Sequence, residues 1–315
     1  MSDQTILAVT KLEKTFKVGF QRKVVNAVQG LDFSVDAGEI YGFLGPNGAG
    51  KTTTIKMIMD LIRPSAGSVK VFGDSPGALA SRKRIGYLPE HPYFYDYLKP
   101  TELLEFFGRL HGIKKTARRK QIHELLEQVG LTHAKDRTLR RYSKGMLQRF
   151  GLAQALIGDP DLVILDEPLS GLDPIGRKEM KDIVSGLKAK GKTVFFSSHI
   201  LSDIELLCDK IAMIDEGRLL YAGPTRDFVV RGQLEVEIIA SNVPEGILTA
   251  LKAKADSIDS FGSRQKVLCN RDSAQELLKL LIESSAIVES VVPRSETLEE
   301  VFVHTAQHKQ AEVSK

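Results

Sequence analysis

Eight consecutive residues, Gly45-Pro46-Asn47-Gly48-Ala49-Gly50-Lys51-Thr52, have the composition of an anion cradle. Glycines let the backbone curl until successive N–H groups face one point, and a helix that begins at once adds the partial positive charge of its N-terminus. In the pattern G-x-x-x-x-G-K-[ST], the lysine reaches the β- and γ-phosphates of a nucleotide and the hydroxyl ligates Mg2+. Lys51 and Thr52 stand at those places, with Thr53 next in the same turn. The run follows an apolar segment, Ile40 to Leu44, and leads into Ile55, Ile58, Met59 and Ile62, a helical spacing closed by Pro64. Strand, loop and helix in that order are the context that the pattern requires.

A second group supplies acids. Leu162-Val163-Ile164-Leu165 reads as a fully buried strand, and it runs directly into Asp166 and Glu167. In a parallel sheet, ligands gather at the carboxyl ends of the strands, so these two acids are expected beside the phosphate loop. Asp166 is placed to hold Mg2+ through water, and Glu167 to polarise an attacking water as general base. The phosphate-loop match is the strongest signal in the chain; the two acids after four aliphatics are a weak signal alone and become a strong one when paired with Lys51.

Further residues carry a family resemblance. Arg141-Tyr142-Ser143-Lys144-Gly145-Met146-Leu147-Gln148-Arg149 precedes the acidic strand, Ser170-Gly171-Leu172-Asp173-Pro174 follows it, and His199 closes Phe196-Ser197-Ser198-His199. From about residue 5 to 224 this order resembles the ATP-binding subunit of an ATP-binding-cassette (ABC) transporter. The resemblance implies a head-to-tail dimer of two such subunits, with ATP and Mg2+ held between one phosphate loop and the signature of the other. It assigns Ser143 and Gly145 to the γ-phosphate bound in trans, Asp173 to the partner across the interface, and His199 to the γ-phosphate and the attacking water. Phe16 takes the place of the aromatic that stacks on adenine, with Phe20 a competing candidate; either also reads as core. The chain departs from the family twice. Glu90, after Gly86-Tyr87-Leu88-Pro89, stands where glutamine is usual; it can ligate Mg2+ but cannot donate a hydrogen bond when ionised. Tyr-Ser-Lys-Gly-Met replaces the common Leu-Ser-Gly-Gly-Gln and, with Leu-Pro-Glu, resembles the branch that energises exporters with separate integral-membrane permease subunits.

The elements that must position these residues follow an α/β pattern. Short apolar runs at 31–35, 40–44, 68–72, 162–165, 193–197 and 210–215 read as strands of a largely parallel sheet, alternating with helical stretches. Residues 98 to 158 read instead as an inserted helical subdomain, with helices over 101–111, 117–129 and 145–157 and no strand between them. The basic run Lys114 to Lys120 reads as a solvated helix start. The expected first domain is therefore 1–224, a P-loop NTPase cassette. Residues 225–315 follow the order strand, helix, strand, strand, helix, strand, a βαββαβ-like α+β domain, which reads as a packing domain with ligand sensing as the alternative.

Composition bounds the rest. The 315 residues are 42% hydrophobic and 27% charged, proportions of a folded chain. The net charge of +4 is too small to require nucleic acid as partner, and it arises in residues 1–224, because 225–315 carry 11 basic and 14 acidic side chains. Cys208 and Cys269 are far apart and read as buried thiols in a reducing compartment. No apolar run approaches the roughly 20 residues of a spanning helix, so the expected location is cytoplasmic, at the inner face of the membrane through a permease. Two rival readings remain: a non-transport ABC ATPase acting on ribosomes or DNA, against which stand the single phosphate loop and the lack of a coiled coil, and an importer ATPase, which shares the catalytic motifs.

Overall fold

The computed structural model describes residues 5–18, 23–227 and 235–294. The chain divides into two compact units, Met1–Thr225 and Arg226–Lys315.

The first unit is layered. β3 (Ile40–Leu44), β5 (Ile85–Leu88), β6 (Leu162–Leu165), β7 (Thr193–Ser198), β8 (Lys210–Asp215) and β9 (Arg218–Pro224) form a six-stranded sheet in the order β5-β6-β7-β3-β8-β9. All its pairings are parallel except the β8–β9 edge. Every residue of β3, β6 and β7 is buried, which is why these strands are unbroken apolar runs in sequence. A separate antiparallel sheet is made of β2 (Lys23–Asp36), β1 (Thr5–Val18) and β4 (Ala66–Val71), in that order. Aromatic rings join the two sheets: Phe33 of β2 lies 5.7, 5.5 and 6.1 Å between centroids from Tyr41, Phe43 and Phe195. Such contacts add directional packing to the area they bury.

Between β5 and β6 come three helices, α3 (Pro100–Leu110), α4 (Lys115–Gln128) and α5 (Lys144–Leu156), with two 3-10 turns and no strand, as the sequence pattern predicts. Pro100 opens α3, and the Lys99 N–H is capped by Glu102 at 2.8 Å. The helix after the phosphate loop, α1 (Lys51–Ile58), is shorter than its periodicity implies. Met59 caps its C-terminus and Asp60 turns left-handed at φ 54°, a conformation that short polar side chains tolerate. Met59 and Ile62 still pack on the core, so the apolar spacing survives into a turn that is no longer helix. The first unit is completed by α2 (Leu79–Arg82), α6 (Pro174–Ala189) and α7 (Leu201–Leu207).

The second unit runs β10 (Glu235–Ser241), α8 (Glu245–Lys252), β11 (Ser257–Phe261), β12 (Arg264–Asn270), α9 (Arg271–Glu283) and β13 (Ile287–Arg294). Its sheet has the order β11-β12-β10-β13 with every pairing antiparallel, the split βαββαβ arrangement expected from the sequence. Val236, Ile238, Leu251, Val267, Cys269, Leu277 and Leu281 form its own core. Both cysteines are free and buried. Among the described residues, no helix is long and apolar enough to cross a membrane.

Candidate functional site

The phosphate loop leaves β3 at Gly45 and enters α1 through Gly50, whose φ of 102° only glycine adopts without strain. Its position is crowded as well: a Cβ on Gly50 would lie 2.4 Å from the Ala27 carbonyl oxygen. Gly48 is also left-handed, at φ 87°, but faces open space. No side chain caps α1 and no acid sits in its first turn, so its N-terminus remains electrostatically available to an anion. Gly45 and Ala49 are buried beneath the loop, while Pro46, Asn47, Gly48, Gly50, Lys51, Thr52 and Thr53 line a cleft of 310 Å3 with Ala27, Glu90 and Glu167.

Lys51 is 6% exposed and turned inward. Its Nζ donates to the carbonyl oxygens of Gly45 at 2.6 Å and Pro46 at 3.1 Å, and pairs with Glu167 Oε1 at 3.0 Å. The other oxygen of Glu167 lies 2.8 Å from His199 Nδ1. Glu167 holds a left-handed backbone, φ 49°, an uncommon state for this residue that aims its carboxylate into the cleft instead of along the strand. Lysine, glutamate and histidine thus form one chain of contacts, with the glutamate, 8% exposed, at its centre.

Asp166 is 1% exposed. Its Oδ1 accepts from Ser197 Oγ at 2.8 Å, and the same hydroxyl accepts from the Glu167 N–H at 2.8 Å, so Ser197 fixes both acids at once. Burial pushes the Asp166 carboxyl above its ordinary value; hydrogen bonds from Ser197 and Thr52 oppose that rise, and the charges of Glu90 and Glu167 add to it. Its second oxygen, Oδ2, is buried with no hydrogen-bond partner. An orphaned carboxylate oxygen among a hydroxyl and further acids fits a magnesium ion, which takes one or two protein ligands and fills its shell with water and phosphate. Among the described residues no group of three His, Cys, Asp or Glu could hold a metal by itself.

Of the remaining sequence candidates, Glu90 lines the cleft and the others do not. Ser143 caps α5, accepting from the Met146 N–H at 3.2 Å, and is exposed; Gly145 follows in the first turn. Neither lines the cleft around their own phosphate loop. Asp173 caps α6 through the Gly176 N–H at 3.0 Å and is likewise exposed. Lys144 lies along Gly171, where a Cβ would meet its Nζ at 2.0 Å. Phe16, half-buried on β1 opposite Val25, has Lys14 Nζ 5.1 Å from its ring centre; Phe20 lies outside the described residues. Glu90 is tied to the signature helix, its carbonyl accepting from Gln148 Nε2 at 3.4 Å.

Three contributors had no role assigned from sequence: Gln148 and Ser197, which stand inside the signature and histidine runs, and Ala27, which stands in no motif.

Residues 28–170 match the ABC transporter family model. An uncharacterized ABC transporter ATP-binding protein of Nostoc is 48% identical over 223 residues, 70% of this chain and 66% of the relative. The bacitracin transport ATP-binding protein BcrA of Bacillus licheniformis is 38% identical over 306 residues, 95% of this chain and 96% of BcrA. The chain belongs to the ABC transporter ATP-binding family. This ABC chain is also 35% identical over 284 residues to the Nod factor export ATP-binding protein I of Ralstonia nicotianae, 88% of this chain and 84% of that one. Among solved structures, the ATP-binding subunit of an ABC transporter superposes with a TM-score of 0.63 at 31% identity, over 72% of this chain and 92% of the other. The chain spans just under two thirds of the Nostoc relative's length.

Proposed function

We propose that this chain is the ATP-hydrolysing subunit of an exporter, acting as a head-to-tail dimer beneath a separate integral-membrane permease. The observation that carries the reading is the Lys51–Glu167–His199 chain of contacts inside the phosphate cleft. Without nucleotide, Lys51 neutralises Glu167. A γ-phosphate entering the cleft competes for the same ammonium group, and drawing Lys51 away frees Glu167 Oε1 to accept a proton from water. His199 keeps hold of Oε2, so the freed carboxylate stays oriented. Thr52, Asp166 and Glu90 would hold a magnesium ion, which when bound would supply positive charge against the phosphates. The protein's contribution is positioning and electrostatics rather than covalent chemistry.

The dimer is supported by where the signature stands. Ser143 and Gly145 open a 13-residue helix, are not fully buried, and lie outside the cleft of their own loop, so the nucleotide they face belongs to a second subunit. Export is favoured over import by the Tyr142-to-Met146 signature and Leu88-Pro89-Glu90, and the name of the Ralstonia nicotianae relative points the same way.

Glu167→Gln tests the assignment. Loss of a general base costs roughly 10²–10⁴-fold in turnover, so steady-state ATP hydrolysis should fall by that order while nucleotide binding, measured by calorimetry, changes only a few-fold. Undiminished hydrolysis would falsify the role of Glu167.

A further inference from the structure

Away from the phosphate cleft, a cluster of charge centred on one buried acid and two half-buried cations joins two helices. Asp203, the third residue of α7, is 1% exposed; its Oδ2 accepts from Arg177 Nη2 at 2.6 Å and its Oδ1 meets Lys181 Nζ at 2.6 Å. Arg177 and Lys181 stand four residues apart on α6 and so share one face of it. Burying a carboxylate is costly unless cations compensate it, and breaking such a set leaves an unpaired charge in the interior. Here two cations from one helix surround a single acid from the next.

The clamp is close to functional residues at both ends. On α6, the Arg177 N–H donates to the Asp173 carbonyl at 2.9 Å, one turn from the residue that the dimer reading places at the partner's surface. On α7, Asp203 follows His199 by four residues, and the intervening start is fixed by the Ile200 N–H donating to Ser198 Oγ at 3.0 Å. His199 in turn meets Glu167 Oε2 at 2.8 Å. A further ion pair, Arg149 of α5 with Glu179 of α6 at 2.8 Å, ties α6 to the helix that Ser143 caps. One helix is thereby tied both to α5, which Ser143 caps, and to α7, which follows His199.

We propose that Asp203 is a positioning residue: by clamping Arg177 and Lys181 it makes α6 and α7 one rigid piece, so that contact at Asp173 sets His199 against Glu167. The proposal rests on the paired-ATPase reading above. Spatial intermediacy alone does not establish coupling; non-additivity does.

The test is a double-mutant cycle on the full chain, reading kcat and KM for ATP in wild type, Asp203→Asn, His199→Ala and the double variant. Asp203→Asn should lower kcat by about tenfold with KM within about threefold, Asp203→Glu should restore part of it, and the double variant should fall no more than about twofold below His199→Ala alone. Where Asp203→Asn does not fold, Lys181→Gln takes its place in the cycle, with a smaller loss and the same non-additivity. Losses that multiply, or a kcat that falls only in proportion to the folded fraction in a thermal melt, overturn the clamp. If the wild-type chain does not hydrolyse ATP, or His199→Ala leaves it unaffected, the ATPase reading fails and takes the clamp with it; an active chain with multiplying losses defeats the clamp alone.

Discussion

Gly48 and Gly50 share a left-handed backbone and differ in their surroundings. At Gly48 an added methyl meets nothing within 4 Å, so Gly48→Ala carries only the conformational cost of the left-handed state, roughly 1–2 kcal/mol. At Gly50 the same cost is joined by a collision with the Ala27 carbonyl oxygen at 2.4 Å, a backbone atom at a register shift of β2 whose neighbours Asn26 and Val28 pair with Thr15 and Lys14 of β1. Gly50→Ala should therefore destabilise the nucleotide-free protein by clearly more than Gly48→Ala in urea unfolding. Equal losses would show that backbone conformation alone, not close approach, fixes this glycine. The same crowding explains why the loop pattern is so legible in sequence: at its first and last glycines, Gly45 and Gly50, a Cβ would lie 2.4 Å from a backbone oxygen. Asp203 left no such mark, because an acid four residues after a histidine is ordinary on a helix and its partners lie more than twenty residues away.

At the scale of elements, strands were legible in all three sheets, with their limits clearest where both faces are buried; the runs at 31–35 and 68–72 belong to the antiparallel sheet and not to the parallel one. β3, β6 and β8 are continuous apolar runs bounded by Gly, Pro or Asp, and their observed limits are Ile40–Leu44, Leu162–Leu165 and Lys210–Asp215. β1 was not legible, because Lys11, Glu13, Lys14 and Lys17 interrupt its apolar residues; an antiparallel strand can turn such side chains to solvent, and its register shifts break strict alternation. The helical subdomain offers a prediction of its own. Arg118 of α4, 8% exposed, donates to Glu105 of α3 at 2.7 Å and also to the Ile113 carbonyl, stapling the two helices. Hydrogen bonding from Arg118 holds the Glu105 carboxyl down at about 2, against an ordinary 4.5. A group depressed on folding contributes stability above its unfolded pKa and loses it as pH falls through the folded one. The staple should therefore act fully above about pH 4.5 and fade towards pH 2. Glu105→Gln should lower the urea midpoint at neutral pH, and its deficit against wild type should shrink as the pH is taken below 4.5. A deficit that stays constant down that range would assign the loss to packing instead of charge.

For the whole molecule, the two units have separate hydrophobic clusters, one around Phe33, Tyr41, Phe43 and Phe195, the other around Ile238, Val267 and Leu277. Separate cores permit separate unfolding, and a chain of this kind need not melt in one step. Each unit can be addressed by a different perturbation. Leu277 is fully buried in the second core, and truncating such a leucine costs about 2–5 kcal/mol through lost transfer energy and the cavity left behind. At the proposed site, nucleotide acts through the cleft of the first unit, and a ligand at a hundred times its Kd stabilises the state that binds it by about 2.7 kcal/mol. Calorimetry of the full chain should thus resolve two transitions: Leu277→Ala lowers one, MgATP raises the other, and neither moves its neighbour. ATP affinity in Leu277→Ala should equal wild type below the lower transition. A single transition displaced by both perturbations would mean that the second unit stabilises the nucleotide-binding one, and a loss of ATP affinity in the same variant would extend that dependence to the site itself.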